Sequence, residues 1–166
     1  MKTIDLHVHS TASDGTVSPA DLVAMAAALP LCAFALTDHD TTDGIDEARK
    51  AALSVPGAPE VVPGIELSTD FFGTDIHIVG LDLSYQDPAF QSFLASLRQN
   101  RLEKNQAMID RMKHDGIPIS YEQMTSAFGE QVWTRAHFAR YLLSLGLVSS
   151  IPEAFDRYIG DHCPYY

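Results

Sequence analysis

The hexapeptide DLHVHS, residues 5–10, lies at the end of a short segment that predicts a first β-strand over residues 2–8. Histidines at positions i and i+2 of an extended strand point to the same side of the backbone. His7 and His9 can therefore reach one metal ion together. Neutral imidazole is a ligand that Zn, Mn and Fe sites use, so the chain opens with a predicted metal-binding strand.

Ligand-type side chains recur along the next three predicted strands. His39 follows LCAFAL, residues 31–36, a continuous apolar run typical of a strand buried on both faces. Glu66 ends the strand predicted over 61–67, and its two carboxylate oxygens could bridge two ions. His77 lies inside the strand predicted over 76–81, where an imidazole without a partner is costly. Functional residues gather at the carboxyl ends of strands in parallel α/β sheets, so the set indicates a metalloenzyme.

Four aspartates close to these histidines are weaker candidates. Asp14 lies in SDG, residues 13–15, where the local sequence alone favours a plain Asp-Gly turn. Asp5, Asp38 and Asp40 flank the histidines and could accept a hydrogen bond that orients an imidazole.

The first half of the chain alternates strands with helices. Residues 18–21, SPAD, predict a helix that extends to about residue 29, and Thr42 or Asp43 is expected to cap a second helix that ends at residue 52. This alternation predicts parallel strands with right-handed crossovers. The second half is predicted to be helical over residues 88–114, 121–128, 134–145 and 152–158. We therefore predict an α/β portion over 1–83 and a helical insertion over 84–160.

Composition narrows the function classes. The 166 residues carry a net charge of −11, which argues against a large basic surface for nucleic acid. The sequence shows neither a signal peptide nor an apolar stretch long enough for a membrane span, so a cytoplasmic location is expected. Cys32 lies in an apolar run and is predicted to be a buried thiol, so the two cysteines indicate no disulfide framework.

Four segments resemble the polymerase-and-histidinol-phosphatase (PHP) family of metal-dependent phosphoesterases. They are DLHVHS (5–10), SDG (13–15), TDHD (37–40) and PGIELS (63–68). Together with WTRAH (133–137), they resemble the bacterial branch that removes the 3′-phosphate from nucleoside 3′,5′-bisphosphates and trims short RNA from the 5′ end. The resemblance implies the N-terminal part of a distorted (β/α)7 barrel with a helical insertion, and two or three divalent metal ions (Mn, Zn or Fe).

The resemblance also implies a role for individual residues. His7 and His9 match ligands of a first ion, Glu66 the bridge to a second ion, His77 a ligand of that second ion, and Asp14 and His39 ligands of a third. Arg135 matches a residue that binds substrate phosphate, and His137 is a second candidate for substrate binding. The expected substrate is a small phosphorylated molecule, either a nucleotide or a short RNA.

The chain also departs from the family pattern. Three further ligands that the family carries in its C-terminal third match nothing after His77, and residues 161–166 correspond to the entry into a missing barrel portion. A complete barrel needs about 250 residues, so an open sheet edge is expected. Two alternatives to a phosphoesterase therefore stay open: a non-catalytic metal-binding or regulatory module, and a metal-dependent amidohydrolase.

Overall fold

A computed structural model describes residues 3–72, 74–129 and 132–166. The chain forms two compact units, Met1–Ala95 and Ser96–Tyr166, and each has its own cluster of buried apolar side chains. The elements follow in the order β1 (Thr3–Val8), α1 (Pro19–Ala27), β2 (Leu31–Leu36), α2 (Ile45–Ala52), β3 (Glu60–Phe71), β4 (Thr74–Leu81), α3 (Pro88–His114), α4 (Tyr121–Phe128), α5 (Arg135–Ser144) and α6 (Ile151–Ala154), which continues into a π-helix (Phe155–Ile159).

The first unit is built on a four-stranded sheet in the order β1-β2-β3-β4. β1 pairs with β2 and β2 pairs with β3, both in parallel, and α1 and α2 form the connections. Phe34 and Leu36 of β2 are buried in one cluster with Val23 of α1 and Ile45 of α2. The predicted α/β class and the buried character of the second strand are thus confirmed, the latter in the carboxyl-terminal half of β2.

The prediction of parallel pairing is wrong for β4, which runs antiparallel to β3. The two strands extend towards each other until Phe71 pairs with Thr74, so that only residues 72 and 73 separate them. A parallel crossover needs about a dozen residues or more, whereas two residues suffice for a hairpin. The hairpin places His77 directly opposite Ser68.

Three local predictions in the first unit also need correction. Cys32 is exposed, because only the later residues of β2 are buried. Neither Thr42 nor Asp43 caps α2, whose N-cap is Gly44; the Asp43 amide instead donates to Thr41 Oγ1 at 3.2 Å. The first helix ends at Ala27, two residues earlier than predicted.

The second unit is helical, as predicted. Its core includes Met112 of α3, Met124 of α4, and Phe138 and Leu142 of α5, together with Trp133. The single helix predicted over 152–158 is instead a short α-helix followed by a π-helix that ends where the Gly160 amide donates to the Phe155 carbonyl. The predicted domain division at 83/84 stays a prediction; the two units part within α3.

Long apolar helices are not found among the described residues: none of these helices could cross a membrane.

Apolar side chains are exposed on both edge strands of the described sheet. Ile4 of β1 is 56% exposed and Ile78 of β4 is 53% exposed. An edge strand with unpaired backbone groups and apolar side chains can pair with a strand of another chain. The first unit therefore offers two strands for association.

We expect Ile78→Lys to reduce concentration-dependent self-association of this chain, because lysine on an edge strand opposes strand pairing. Light scattering as a function of protein concentration measures the effect. Leu53→Lys is the matched control, since Leu53 is 90% exposed in the same unit but lies outside the strands. Equal effects of the two substitutions would show that association does not use the strand edge.

Candidate metal centre

The centre forms where the carboxyl ends of β1 and β2 meet the middle of β3. The prediction that Glu66 ends its strand is wrong, because β3 continues to Phe71 in its pairing with β4. The backbone amide and the hydroxyl of Thr37 both donate to the Val8 carbonyl, at 2.8 and 3.2 Å, which joins the end of β2 to the end of β1. Gly64 lets β3 lie close to the end of β2. A Cβ at this position would lie only 2.7 Å from Thr37 Cγ2 and 2.9 Å from the Leu36 carbonyl oxygen.

Glu66 lies at the middle of the centre and is 5% exposed. Its Oε2 atom is 2.8 Å from His7 Nε2 and 2.8 Å from His9 Nε2, and the two imidazole nitrogens are 3.1 Å apart. The i, i+2 geometry predicted for His7 and His9 therefore brings both rings to one carboxylate oxygen.

His77 contacts the other oxygen of the same carboxylate. Its Nδ1 atom is 2.8 Å from Glu66 Oε1. The hairpin register explains the contact: His77 pairs with Ser68, and residues two apart on a strand share one face. Glu66 thus directs one oxygen to β1 and the other to β4, as a bridging ligand would.

His39 and Asp14 complete the cluster. His39 Nε2 lies 3.5 Å from Glu66 Oε2 and 3.6 Å from Asp14 Oδ2, and Asp14 Oδ1 is 3.3 Å from His9 Nδ1. Asp14 therefore lies with the other predicted ligands, even though its local sequence alone favours a simple turn.

All six predicted ligand residues converge. Their donor atoms form three groups, in each of which the atoms lie within 4.8 Å of one another. The groups are His7/His9/Glu66, His9/Asp14/His39 and His39/Glu66/His77. Because neighbouring groups share His9, His39 or Glu66, the centre is one continuous set of ligands.

The donor set suits divalent cations. Imidazole nitrogens and carboxylate oxygens are ligands of Zn, Mn and Fe. The Nε2 atoms of His7 and His9 point at each other and at the same Glu66 oxygen, so a cation between them would satisfy all three lone pairs. His39 presents Nε2 to two carboxylates, while its buried Nδ1 atom has no partner among the residues that the structure describes.

The electrostatics of the centre favour a bound cation. Burial disfavours the charged form of Glu66, but hydrogen bonds from His7 and His77 and the charge of His39 outweigh it, so its pKa is lowered. Burial lowers the pKa of His39 despite the nearby carboxylates. At neutral pH the centre therefore offers an ionised carboxylate and a neutral imidazole at these positions, the forms that bind metal.

The three aspartates that flank the histidines in the sequence each accept a hydrogen bond from a backbone amide. Asp40 Oδ1 accepts from the Ser68 amide at 2.8 Å, and Asp5 Oδ1 accepts from the His7 amide at 3.3 Å. Asp38 is bonded to Ser10 and Ser13 instead of to an imidazole. The sequence motifs alone gave these two serines no role, although Ser10 follows His9 directly and Ser13 precedes Asp14 directly.

The predicted substrate-binding residues lie in the second unit. The Arg135 guanidinium is 2.6 Å from Asp161 Oδ1 and lies over the ring of Tyr166, 4.2 Å from its centroid. His137 is 2% exposed, and its Nδ1 accepts from the Thr134 amide at 3.0 Å, which caps α5. A binding role stays a prediction for both residues.

Comparison with known proteins identifies the same family that the sequence motifs resemble. The sequence profile of the PHP domain matches residues 5–157. A 5′-3′ exoribonuclease from Haemophilus influenzae is 43% identical over 159 residues, which are 96% of this chain and 57% of that protein. A 3′,5′-nucleoside bisphosphate phosphatase from Chromobacterium violaceum is 36% identical over 167 residues, which cover 100% of this chain and 58% of that protein.

Solved structures with a similar fold include a protein described as a metal-dependent phosphoesterase. A candidate metal-dependent phosphoesterase from Bifidobacterium adolescentis has a TM-score of 0.88 and 29% sequence identity, over 99% of this chain and 58% of that one. The predicted fold class, an α/β half-barrel with helices, is confirmed. The chain spans just over half the length of the curated relatives it matches.

We expect cation binding to strengthen as the pH rises through the neutral range. Burial lowers the pKa of His9, but the hydrogen bond and charge of Asp14 outweigh this effect, so the pKa is raised above 6.5. A cation must displace the proton wherever His9 is protonated, and this competition ends above the raised pKa. Calorimetric titration with Mn²⁺ between about pH 6 and pH 8, in buffers of different ionisation enthalpy, measures affinity and proton release. An affinity that is independent of pH, without proton release, would contradict the expectation.

Proposed function

The chain belongs to the PHP domain family, and on that premise we propose that its centre hydrolyses phosphate esters with the help of divalent metal ions. The observation that carries the proposal is the shared carboxylate of Glu66, which contacts imidazoles from β1 and β4 through different oxygens. A purely structural role would not explain why one buried carboxylate collects so many metal-type ligands.

The ligand groups specify where ions would be held. His7 and His9 with Glu66 would hold one ion, Glu66 and His77 with His39 a second, and His9 and Asp14 with His39 a third. Bound ions would supply Lewis acidity, activating a water and neutralising charge on the phosphoryl oxygens. Two or three ions of Mn, Zn or Fe fit these donors. The ionised, buried Glu66 would fix the spacing of the neighbouring imidazoles.

A nucleotide is the proposed substrate class. The two relatives are named for a nucleoside bisphosphate and for RNA degraded from its 5′ end. With a net charge of −11, the chain is poorly suited to bind a long nucleic acid through a broad basic surface. Recognition would then depend on a few cations close to the phosphate, which favours a mononucleotide or the terminal phosphate of a short RNA. The expected cytoplasmic location stays a prediction.

The two alternatives make different predictions. A metal-binding or regulatory module would bind ions without turnover, and a metal-dependent amidohydrolase would cleave cyclic amides in preference to phosphate esters. Parallel assays of metal content, phosphate release and cyclic-amide hydrolysis with this chain separate the three.

We expect Glu66→Gln to lower metal-dependent phosphate release by about 100-fold or more, because it removes the charge that two ligand groups share. The measurement is phosphate released from a nucleoside 3′,5′-bisphosphate at saturating Mn²⁺. Glu60→Gln is the matched control, because Glu60 is an exposed glutamate at the start of the same strand. Full activity in Glu66→Gln would exclude this centre as the active site.

We expect Arg135→Ala to raise the KM for the bisphosphate by about tenfold, because a guanidinium–phosphate contact is lost. Turnover of an aryl phosphate, which lacks the second phosphate, should change little. Arg157→Ala is the control in the same unit, since Arg157 pairs with Glu153 and is exposed. Equal effects of Arg135→Ala on both substrates would argue against a phosphate anchor.

A further inference from the structure

The loop between β1 and α1 carries Asp14 and has a tightly bonded backbone. The Thr11 amide donates to the Val17 carbonyl at 3.0 Å, and the amides of Ser13 and Gly15 donate to the Ser10 carbonyl at 3.1 and 2.8 Å. The turn is also closed sterically, because a Cβ at Gly15 would lie 2.5 Å from the His9 carbonyl oxygen. The loop therefore has a defined shape, and whatever fixes it also fixes Asp14.

Asp38 is the group that fixes this loop from outside. Its side chain is buried, with 2% of the residue exposed, and it accepts three hydrogen bonds of 2.7 Å each. The Ser10 amide and the Ser13 hydroxyl donate to Oδ1, and the Ser10 hydroxyl donates to Oδ2. A buried carboxylate is stable only with such partners.

These bonds connect Asp38 to two members of one ligand group, and the third member is its neighbour in the chain. Ser13 Oγ lies 3.4 Å from His9 Nδ1 and 3.5 Å from Asp14 Oδ1, and His39 follows Asp38 directly. Each of the other two groups shares one histidine with this group, but the strands hold their remaining members: β1 and β3 hold His7 and Glu66, and the register of β4 places His77.

We propose that Asp38 is a positioning residue that sets the cation affinity of the His9/Asp14/His39 group, acting through Ser13 and the loop that carries Asp14. Asp38 belongs to none of the three ligand groups found among the described residues. It holds the loop so that Asp14 and His9 meet His39. The inference rests on the proposed function only in treating this group as an ion site.

Ser13→Ala is the first test, because it removes the link while leaving Asp38 with two hydrogen bonds to Ser10. We expect one ion to bind about 10–100-fold more weakly, the effect typical of a lost group behind a metal ligand. The number of ions per chain at limiting Mn²⁺ or Zn²⁺, from elemental analysis and calorimetry, should fall to that of Asp14→Ala.

Ser18→Ala is the matched control. Ser18 also donates to an aspartate at 2.7 Å, here Asp21 at the start of α1, in the same unit. Thermal unfolding of the metal-free variants should show no greater loss of stability for Ser13→Ala than for Ser18→Ala, while only Ser13→Ala should lose the ion.

Asp38→Asn is the second variant. An amide of the same shape has one acceptor oxygen and no negative charge, so it can accept at most two of these three hydrogen bonds. We expect the loss of the same single ion, so the inference stays testable even if Asp38→Ala does not fold.

Two results would overturn the inference. One is unchanged ion number and affinity in both Ser13→Ala and Asp38→Asn. The other is a parallel loss of all ions together with a lower unfolding midpoint, which would make Asp38 merely structural. If the unmodified chain binds ions but hydrolyses no phosphate ester, the proposed function fails while the inference about Asp38 is judged by ion binding alone.

Discussion

The centre depends on the carboxylate of Glu66, which is buried where it would be unstable alone. Removing a negative charge from water is costly unless cationic or hydrogen-bonding partners surround it. Here imidazoles from β1 and β4 contact its two oxygens, and His39 lies slightly farther away. The contacts that stabilise the carboxylate also bring together overlapping groups of candidate metal ligands. The stability of this part of the sheet and the geometry of the ligands therefore depend on each other.

Two features of the backbone bring these ligands together. The parallel pairing of β1, β2 and β3 brings the carboxyl ends of β1 and β2 to the middle of β3, and the antiparallel hairpin turns β4 back so that His77 faces Glu66. The loop that carries Asp14 belongs to no strand and needs its own attachment, which Asp38 provides. Asp40 does the same for β3 through the Ser68 amide. The aspartates on either side of His39 therefore fasten two neighbouring segments around it.

Much of this was predictable, and the errors have identifiable causes. The i, i+2 spacing of His7 and His9 indicates a shared direction because a strand has a period of two. The parallel pairing expected for β4 was wrong because the strand–helix alternation of the earlier elements was extended to it, although no helix was predicted between residues 67 and 76. Cys32 was expected to be buried because an apolar run does not reveal where along a strand burial begins.

The ligand types, their order along the chain and the alternation of strands and helices could be predicted before folding was considered, because they follow from residue chemistry and local periodicity. Long-range contacts were needed to place Asp14 beside His9 and His39, and to bind Asp38 to serines instead of to an imidazole. It also decided that Glu66 divides its oxygens between two strands. Contacts between residues 28 to 59 positions apart depend on how the strands pair, and no local pattern encodes that distance.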